Sequence, residues 1–599
     1  LNSLMMLWKK VADESATRCC TSATRDLTTV SGRVKHEGLS FLTITLPSFG
    51  KDFEKSLDLG YVDPHLFKSF KRRGRSPVFL SGFLDLVFDR SDGRLLDEPN
   101  EDAILAIRQL TLMFGKVRIP CSDARTAAAF EQFIQCEKDI RENDARLTEE
   151  HFSDFKRVSR LLFGDMFDFM DHQIWEVAHK PKHGPGATAD KLRGNAKYTQ
   201  RTWTSRLQEF FPWEEFLAAN SSYTDELNDV NVLEPGDEMP VRVISVPKTL
   251  KTPRIIAIEP TAMQYCQQSV REMIYDWVKR DGTLHSMIGF TDQTPNQRLA
   301  QRGSLRGDLA TLDLSEASDR VSNQSVRAML SDWPFLHGAV DACRSRKADV
   351  PGHGVVRLAK FASMGSALTF PVEAMVFLTN VFMGIEQELN RPLRRGDIQR
   401  FRGRVRVYGD DIIVPKDFVR SVIGVLELFG ARVNTSKSFW NGNFRESCGR
   451  EYYAGHDVSI VRVREVFPTS PMHAQEAISL VSLRNQLYYA GWWATCKWLD
   501  DEITGVLRYF PVVLPSSPVQ GRYSYLGYQS EKLGRALHNP LVKGYVVRAP
   551  LPSDPLDGHG ALLKWFLKRG ELPFADRDHL ERAGRPRAVS IVPRYASAV

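Results

Sequence analysis

In Arg404-Val405-Arg406-Val407-Tyr408-Gly409-Asp410-Asp411-Ile412-Ile413-Val414, two short β-branched runs flank a Gly-Asp pair. The pattern predicts two antiparallel strands joined by a two-residue turn with glycine at its first central position. In a regular strand adjacent side chains point to opposite faces, so neighbouring carboxylates could not share one ligand. At a turn the alternation breaks, and Asp410 and Asp411 can reach the same side. The stretch therefore permits a metal site, and it equally describes a solvated Gly-Asp hairpin.

A second acid bears on that choice. Leu309-Ala310-Thr311-Leu312-Asp313-Leu314-Ser315 reads as an apolar strand interrupted by one carboxylate, which is costly to bury unless paired or metal-bound. Asp313 needs a cation. After it, Val355–Phe361 alternates roughly as a strand, Ser363-Met364-Gly365 is a small-residue loop, and Ala367 to Leu389 reads as a long apolar helix. Pro371 fits that helix if Thr369 caps it; otherwise a kink is expected. A strand with one Asp and a hairpin with two can lie side by side with the helix behind them. Three carboxylates could then surround two divalent ions roughly 4 Å apart, the arrangement that serves in-line phosphoryl displacement. Mg²⁺ suits carboxylates plus substrate phosphates, with Mn²⁺ as a substitute.

Net charge is +7 over 599 residues, too modest to identify a polyanionic partner by itself. Clustering says more. Lys68, Lys71, Arg72, Arg73 and Arg75 form one basic group. Arg391, Arg394, Arg395, Arg400, Arg402, Arg404 and Arg406 form another, with Asp397 the single nearby acid, and it leads into the hairpin. A solvated face is the ordinary reading of such runs; Arg404 and Arg406, beside the acids, are candidate contacts for a polyanion. The eight cysteines show no CxxC pair or zinc-finger spacing, so reduced thiols are expected. The apolar stretch before Lys9 and Lys10 is too short for a signal-peptide core, and no uncharged run reaches the roughly 18 residues of a membrane span. The chain begins at Leu1 rather than Met, suggesting a start that lies upstream or is non-standard.

Elsewhere, Phe41–Leu46 reads as a strand closed by Pro47. Residues 100 to 180 carry apolar side chains at helical spacing. Lys182-His183-Gly184-Pro185-Gly186-Ala187-Thr188 reads as a loop whose backbone could approach a phosphate, although it lacks the Gly-Lys-Ser/Thr ending of a P-loop. Val241–Val246 and Arg254–Ile258 read as strand, turn, strand, with Lys248, Lys251 and Arg254 at the loop. That hairpin is either an electrostatic clamp for a triphosphate or a surface turn with solvated lysines. Residues 262 to 280 read as helix, and a polar loop is expected around Asp292–Arg298.

Val246-Pro247-Lys248 through Ala257-Ile258-Glu259-Pro260, Asp292-Gln293-Thr294, Asp313-Leu314-Ser315 through Ser318-Asp319, Ser363-Met364-Gly365 with Thr369-Phe370, Tyr408-Gly409-Asp410-Asp411 and Phe444-Arg445-Glu446-Ser447-Cys448-Gly449 follow one another in that order. Together they resemble the motifs of palm-domain RNA-dependent RNA polymerases. Specifically, they resemble the replicase catalytic subunits of positive-strand RNA bacteriophages, the levivirus group that includes phage Qβ. The resemblance runs from about residue 240 to 460, is thinner at Thr45-Leu46-Pro47 and His183-Gly184-Pro185-Gly186, and fades after about 490.

The resemblance implies an α+β right-hand polymerase with an antiparallel palm sheet backed by helices. Residues 1–240 would be a largely helical N-terminal region and fingers, and 241–310 a fingers hairpin with the triphosphate clamp and the link to the palm. Residues 311–460 would be the palm, with 333–362 assignable to the fingers, and 461–599 a helical thumb and C-terminal region whose aromatic rings are mostly core. Asp313, Asp410 and Asp411 would hold Mg²⁺, with Asp313 and Asp410 bridging. Lys248, Lys251 and Arg254 would clamp the triphosphate, Asp319 would read the ribose 2′-OH, and Ser363, Gly365 and Thr369 would shape the nucleotide pocket. Lys437 is a candidate general acid for pyrophosphate departure.

Arg445 would grip primer or product, or belong to a structural turn. Arg582, Arg585, Arg587 and Arg594 would touch RNA phosphates or form a frayed tail. Glu373 departs from the wider viral pattern, which often has Asn there to help select the sugar. The implied partners are an RNA template and product, NTPs, host elongation factors Tu and Ts and a ribosomal small-subunit protein, in a bacterial cytoplasm and with no membrane. The rivals are a reverse transcriptase and a non-catalytic RNA-binding protein that keeps a polymerase-like palm.

Overall fold

The computed structural model describes residues 1–548, 553–569 and 589–599. Its organising sheet is antiparallel and four-stranded, in the order Arg406–Tyr408, Asp411–Pro415, Leu309–Ser315, Arg432–Val433. Leu309 and Ala310, adjacent and therefore on opposite faces, are both fully buried, as is Val414, so the central strands are covered on both sides. Behind the sheet runs the Thr369–Leu389 helix, with Leu378, Val381, Phe382 and Ile385 wholly buried against the Val419–Leu428 and Glu149–Trp175 helices. Thr369 is that helix's first residue rather than its cap. Pro371 is tolerated because it lies in the first turn, where backbone N–H groups have no intrahelical partner.

A second sheet contains the expected Val241–Val246 and Arg254–Ile258 hairpin. It is extended by Lys347–Val350, parallel to Val241–Val246, and by Gly354–Arg357. Residues 100 to 180 form the helices Glu101–Leu112, Asp123–Asp144 and Glu149–Trp175, and Thr261–Arg280 is helical as expected.

A second large core joins the N-terminal helices to residues 439–510, across nearly the whole chain length. Arg108, fully buried, ties the two together through Glu54 at 2.9 Å and Glu451 at 3.0 Å. Glu451 lies in the Arg450–Tyr453 strand, which pairs with Phe444–Ser447 and so holds Glu446 next to the organising sheet.

Several expectations change here. Phe41–Thr45 is a wide π-helical turn leading into the Leu46–Leu59 helix, not a strand. Burial of Phe41, Leu42 and Leu46 in this second core overrides β propensity, and Pro47 sits in a helical first turn instead of closing a strand. The polar stretch 292–298 is loop only at its start. Asp292 accepts from the Thr294 N–H at 2.9 Å, and the Thr294–Arg306 helix begins there.

The C-terminal region is not purely helical. Alongside Ala474–Tyr489, Trp493–Val506 and Gly558–Lys568 it holds a sheet built on the Pro540–Arg548 strand and closed by Ser590–Ser597. Of its rings Trp492 is core, whereas Trp493 and Tyr525 are exposed. Arg594 lies in the last strand; Arg582, Arg585 and Arg587 lie outside the described residues. Among the described residues no helix is long and apolar enough to cross a membrane.

Candidate active site

The hairpin turns where the sequence predicts. Tyr408 pairs with Asp411, leaving Gly409 and Asp410 as a two-residue loop. Gly409 has φ +61° while Asp410 keeps a negative φ, the signature of a type II′ turn. A Cβ on Gly409 would run into the Phe370 ring and come within 3.2 Å of Glu373 Oε1, so the tip is pressed onto the long helix.

On the neighbouring strand Asp313 is the direct cross-strand partner of Asp411. Directly opposed residues of an antiparallel pair share a face, so these two carboxylates look the same way, with Asp410 exposed at the tip beside them. Burial first, and then the charge of Asp410, push the Asp411 carboxyl up to about 7. Burial and Asp410 likewise raise Asp313 against the opposing pull of Lys437. The acids are gathered more closely than the local cations can neutralise.

Asp313 does have a cation in the structure. Lys437 Nζ lies 3.2 Å from Asp313 Oδ2, and Asn434 Nδ2 donates to the same oxygen at 3.1 Å. Among the described residues no group of three or more His, Cys, Asp or Glu side chains is arranged to hold a metal ion. The donor set nonetheless suits a hard divalent cation: oxygens only, raised carboxyls and a shared face. Lys248, exposed at the clamp loop, faces these acids. Desolvation, Arg254 and Lys437 lower its pKa, while Asp410 and Asp313 oppose that shift. Lys251 and Arg254 are also exposed.

Around the acids, Asp319 is held at 2.9 Å by the fully buried Lys360, which also pairs with Glu137 at 3.3 Å. Ser363 and Thr369 are linked, Thr369 Oγ1 donating to the Ser363 carbonyl at 2.7 Å. Gly365 has φ +131°, and a Cβ there would enter the Ala257 carbonyl; the Ala257 N–H in turn donates to the Met364 carbonyl at 2.8 Å. The pocket loop is thus sewn to the clamp hairpin.

Two expected RNA contacts are corrected. Arg445 is fully buried and donates to the carbonyls of Leu309, Gly442 and Phe444. Arg406 is buried and donates to Asn296 Oδ1 and the His285 carbonyl. Both guanidiniums are turned inward to internal acceptors, although Arg445 Nη2 has no partner among the described residues. Arg404 stays half-buried, its guanidinium 5.9 Å from the Phe401 ring.

Two further acids belong to the neighbourhood. Burial alone would raise Glu446, but Lys51 at 3.5 Å, Lys437, Arg108 and Arg462 hold its carboxyl well below the usual range. Its charge in turn helps raise Asp313 and Asp411. In the sequence it stands out only as a member of the Phe444-Arg445-Glu446-Ser447-Cys448-Gly449 stretch. Glu373 is buried, its Oε2 lacks a partner among the described residues, and burial, Asp410 and Asp319 push its carboxyl far up. Asp410 and Asp319 both lie close enough to act on it, which places it beside the site.

The chain is 33% identical over 344 residues to the RNA-directed RNA polymerase subunit beta of Escherichia virus Qbeta, covering 56% of this chain and 52% of that protein. It is 38% identical over 216 residues to the RNA-directed RNA polymerase beta chain of Escherichia phage MS2, covering 36% of each. The chain thus spans about half the length of the first of these relatives. Among solved structures it is similar to a BmCPV RNA-dependent RNA polymerase at elongation state, with TM-score 0.36 and 12% identity over 59% of this chain and 34% of that one. The family model described as RNA replicase, beta-chain matches residues 215–537, more than half of the chain. The chain belongs to the RNA replicase beta-chain family.

Proposed function

We propose that this chain is the catalytic subunit of an RNA-directed RNA polymerase that copies an RNA template, joining NTPs and releasing pyrophosphate. The observation that carries the reading is the register of Asp313 opposite Asp411, with Asp410 at the adjoining tip and Lys248 facing them. Divalent cations, Mg²⁺ foremost, would supply activation of the attacking hydroxyl and charge neutralisation on the departing phosphates. Asp313, Asp410 and Asp411 would hold them, and Lys437 would have to yield Asp313 to do so.

The protein's own residues do the rest. Lys248, Lys251 and Arg254 clamp the triphosphate. Lys437, released from Asp313, is then free to give a proton to the leaving pyrophosphate. Asp319, oriented by Lys360, and Glu373 contact the sugar. Ser363, Gly365 and Thr369 shape the wall of the nucleotide pocket, and Arg404 offers a cation to the RNA strand. Residues 241–258 and 347–357, sharing one sheet, act as fingers, 311–460 otherwise as palm, and the region after 461 as thumb.

The chain works as one subunit of a larger assembly, as the word beta in its relatives' names suggests, with host elongation factors Tu and Ts and a ribosomal small-subunit protein as partners in the bacterial cytoplasm. Nucleotide incorporation by the purified chain with its co-purifying proteins, comparing NTPs with dNTPs on a single-stranded RNA, tests the reading. Preferential NTP incorporation is expected; a clear dNTP preference would overturn it in favour of reverse transcription.

A further inference from the structure

Away from the acids, a cavity of about 350 Å³ lies between the Glu149–Trp175 helix, the segment 178–183 and the Thr261–Arg280 helix. Two histidines line it. His179 is 7% exposed, with Nδ1 at 2.6 Å from Ser269 Oγ, and His183 is 8% exposed, its ring stacked on Tyr265 at 4.1 Å. The Nε2 of each has no hydrogen-bond partner among the described residues. Burial holds both imidazoles neutral, with pKa values of about 4 for His179 and about 3 for His183. A neutral imidazole presents Nε2 as donor or acceptor according to its tautomer, so the two can match a mixed polar edge.

The walls are aromatic, with Phe169 and Trp277 at 5.2 Å between centroids. Lys180, Lys182, Arg280 and Lys568 stand at the lining against two acids, Glu272 and Asp276. Glu272 is paired with Arg271 at 3.2 Å and reaches Lys182 only at 4.0 Å, and Asp276 lies 3.9 Å from Arg280.

A divalent metal would suit paired imidazoles, but the surrounding cations oppose one. An apolar ligand would leave both Nε2 atoms unpaired. We propose that this cavity is a second binding site, which takes one unpaired nucleobase between its aromatic walls and imidazole edges and the attached phosphate at its basic lining. Aromatic faces stack any base, imidazole nitrogens read its edge, and lysine and arginine take the phosphate.

The same helix leads back to the acidic hairpin. Tyr275 stacks on Phe290 at 4.3 Å, Phe290 meets Phe370 at 6.2 Å, and Phe370 meets Tyr408 at 5.2 Å. This continuity suits a nucleotide of the RNA strand being copied, and to that extent the inference rests on the polymerase reading. A free mononucleotide has the same chemistry.

The test is photo-crosslinking of the full chain, with its co-purifying proteins, to a single-stranded RNA oligomer carrying 4-thiouridine and, separately, to 4-thio-UTP. Crosslinked peptides are then mapped by mass spectrometry. Crosslinks to peptides containing Trp277 or His183 are expected from the oligomer, falling about tenfold or more in Gln173→Trp, which fills the cavity from an outer helix. Lys180→Glu, which leaves the walls intact, should weaken them as well; it decides the matter should Gln173→Trp fail to fold by circular dichroism. Crosslinks from the oligomer assign an RNA residue, and from 4-thio-UTP alone a mononucleotide; either supports the site. No crosslink there from either probe, or yields unchanged in a folded variant, overturns it. If NTP incorporation persists in that case, the second site alone has failed; if incorporation is absent from the start, the polymerase reading has failed instead.

Discussion

Gly365→Ala would separate the nucleotide-pocket loop from the clamp hairpin. Gly365 adopts φ +131°, a conformation that L residues rarely reach, at a cost of about 1–3 kcal/mol. The added Cβ would also enter the carbonyl of Ala257, whose own N–H bonds Met364 at 2.8 Å. That carbonyl belongs to the Arg254–Ile258 strand and cannot move aside like a flexible side chain, so the loop must shift and the bond be lost, adding about 1 kcal/mol.

The sum, about 2–4 kcal/mol, converts to roughly 1.5 to 3 orders of magnitude in local opening. Hydrogen exchange of peptides spanning Arg254–Ile258 should accelerate by that factor at the Ala257 amide. The KM for NTP should rise, because Thr369 and Ser363 move with the loop. Unchanged exchange at Ala257 together with an unchanged KM would refute the coupling.

Other outcomes follow from the same contacts. Lys437→Met removes the cation 3.2 Å from Asp313, so the Asp313 carboxyl rises further and the acid limb of the pH–rate profile should move to higher pH. Arg445→Met removes a buried donor from the carbonyls of Leu309, Gly442 and Phe444 and should cost about 2–4 kcal/mol in denaturant unfolding, with RNA affinity of the folded protein unaltered. Lys360→Met strands Glu137 and Asp319 without their buried cation and should cost about 3–5 kcal/mol by the same assay. Because burial raises Asp411 from the ordinary 3.8 to about 7, the fold loses stability progressively as pH rises between those values and does not regain it above 7. A divalent cation relieves the repulsion from Asp410 and must displace any proton, so Mg²⁺ should raise the unfolding temperature more at pH 8 than at pH 6.

The features legible in the sequence are local ones. A Gly-Asp pair between β-branched runs specifies its own turn, and one acid in an apolar strand announces itself by its cost, so the hairpin and the strand of Asp313 were both readable. Their mutual register was foreseen only as a possibility of packing, and the structure pairs Asp313 with Asp411 directly. What could not be read depends on distant partners. Arg445 and Arg406 look like surface cations until Leu309, Asn296 and His285 close over them. Glu446 becomes part of the acidic neighbourhood only because the N-terminal helices bring Lys51 and Arg108 to it. Phe41–Thr45 carries strand-like residues, yet a core assembled from both ends of the chain makes it helical. The Pro540–Arg548 strand gave no turn signal linking it to Ser590–Ser597, some forty residues on.

The central claim is that Asp313, Asp410 and Asp411 act together on divalent cations to synthesise RNA. The direct measurement is NTP incorporation with Mg²⁺ on a structured single-stranded RNA, comparing the unaltered chain with Asp410→Asn, a side chain exposed at the turn and therefore replaceable without loss of fold. Synthesis should fall by about two orders of magnitude or more, with the unfolding temperature in the absence of metal not lowered. RNA synthesis at the original rate by a folded Asp410→Asn chain would contradict the account.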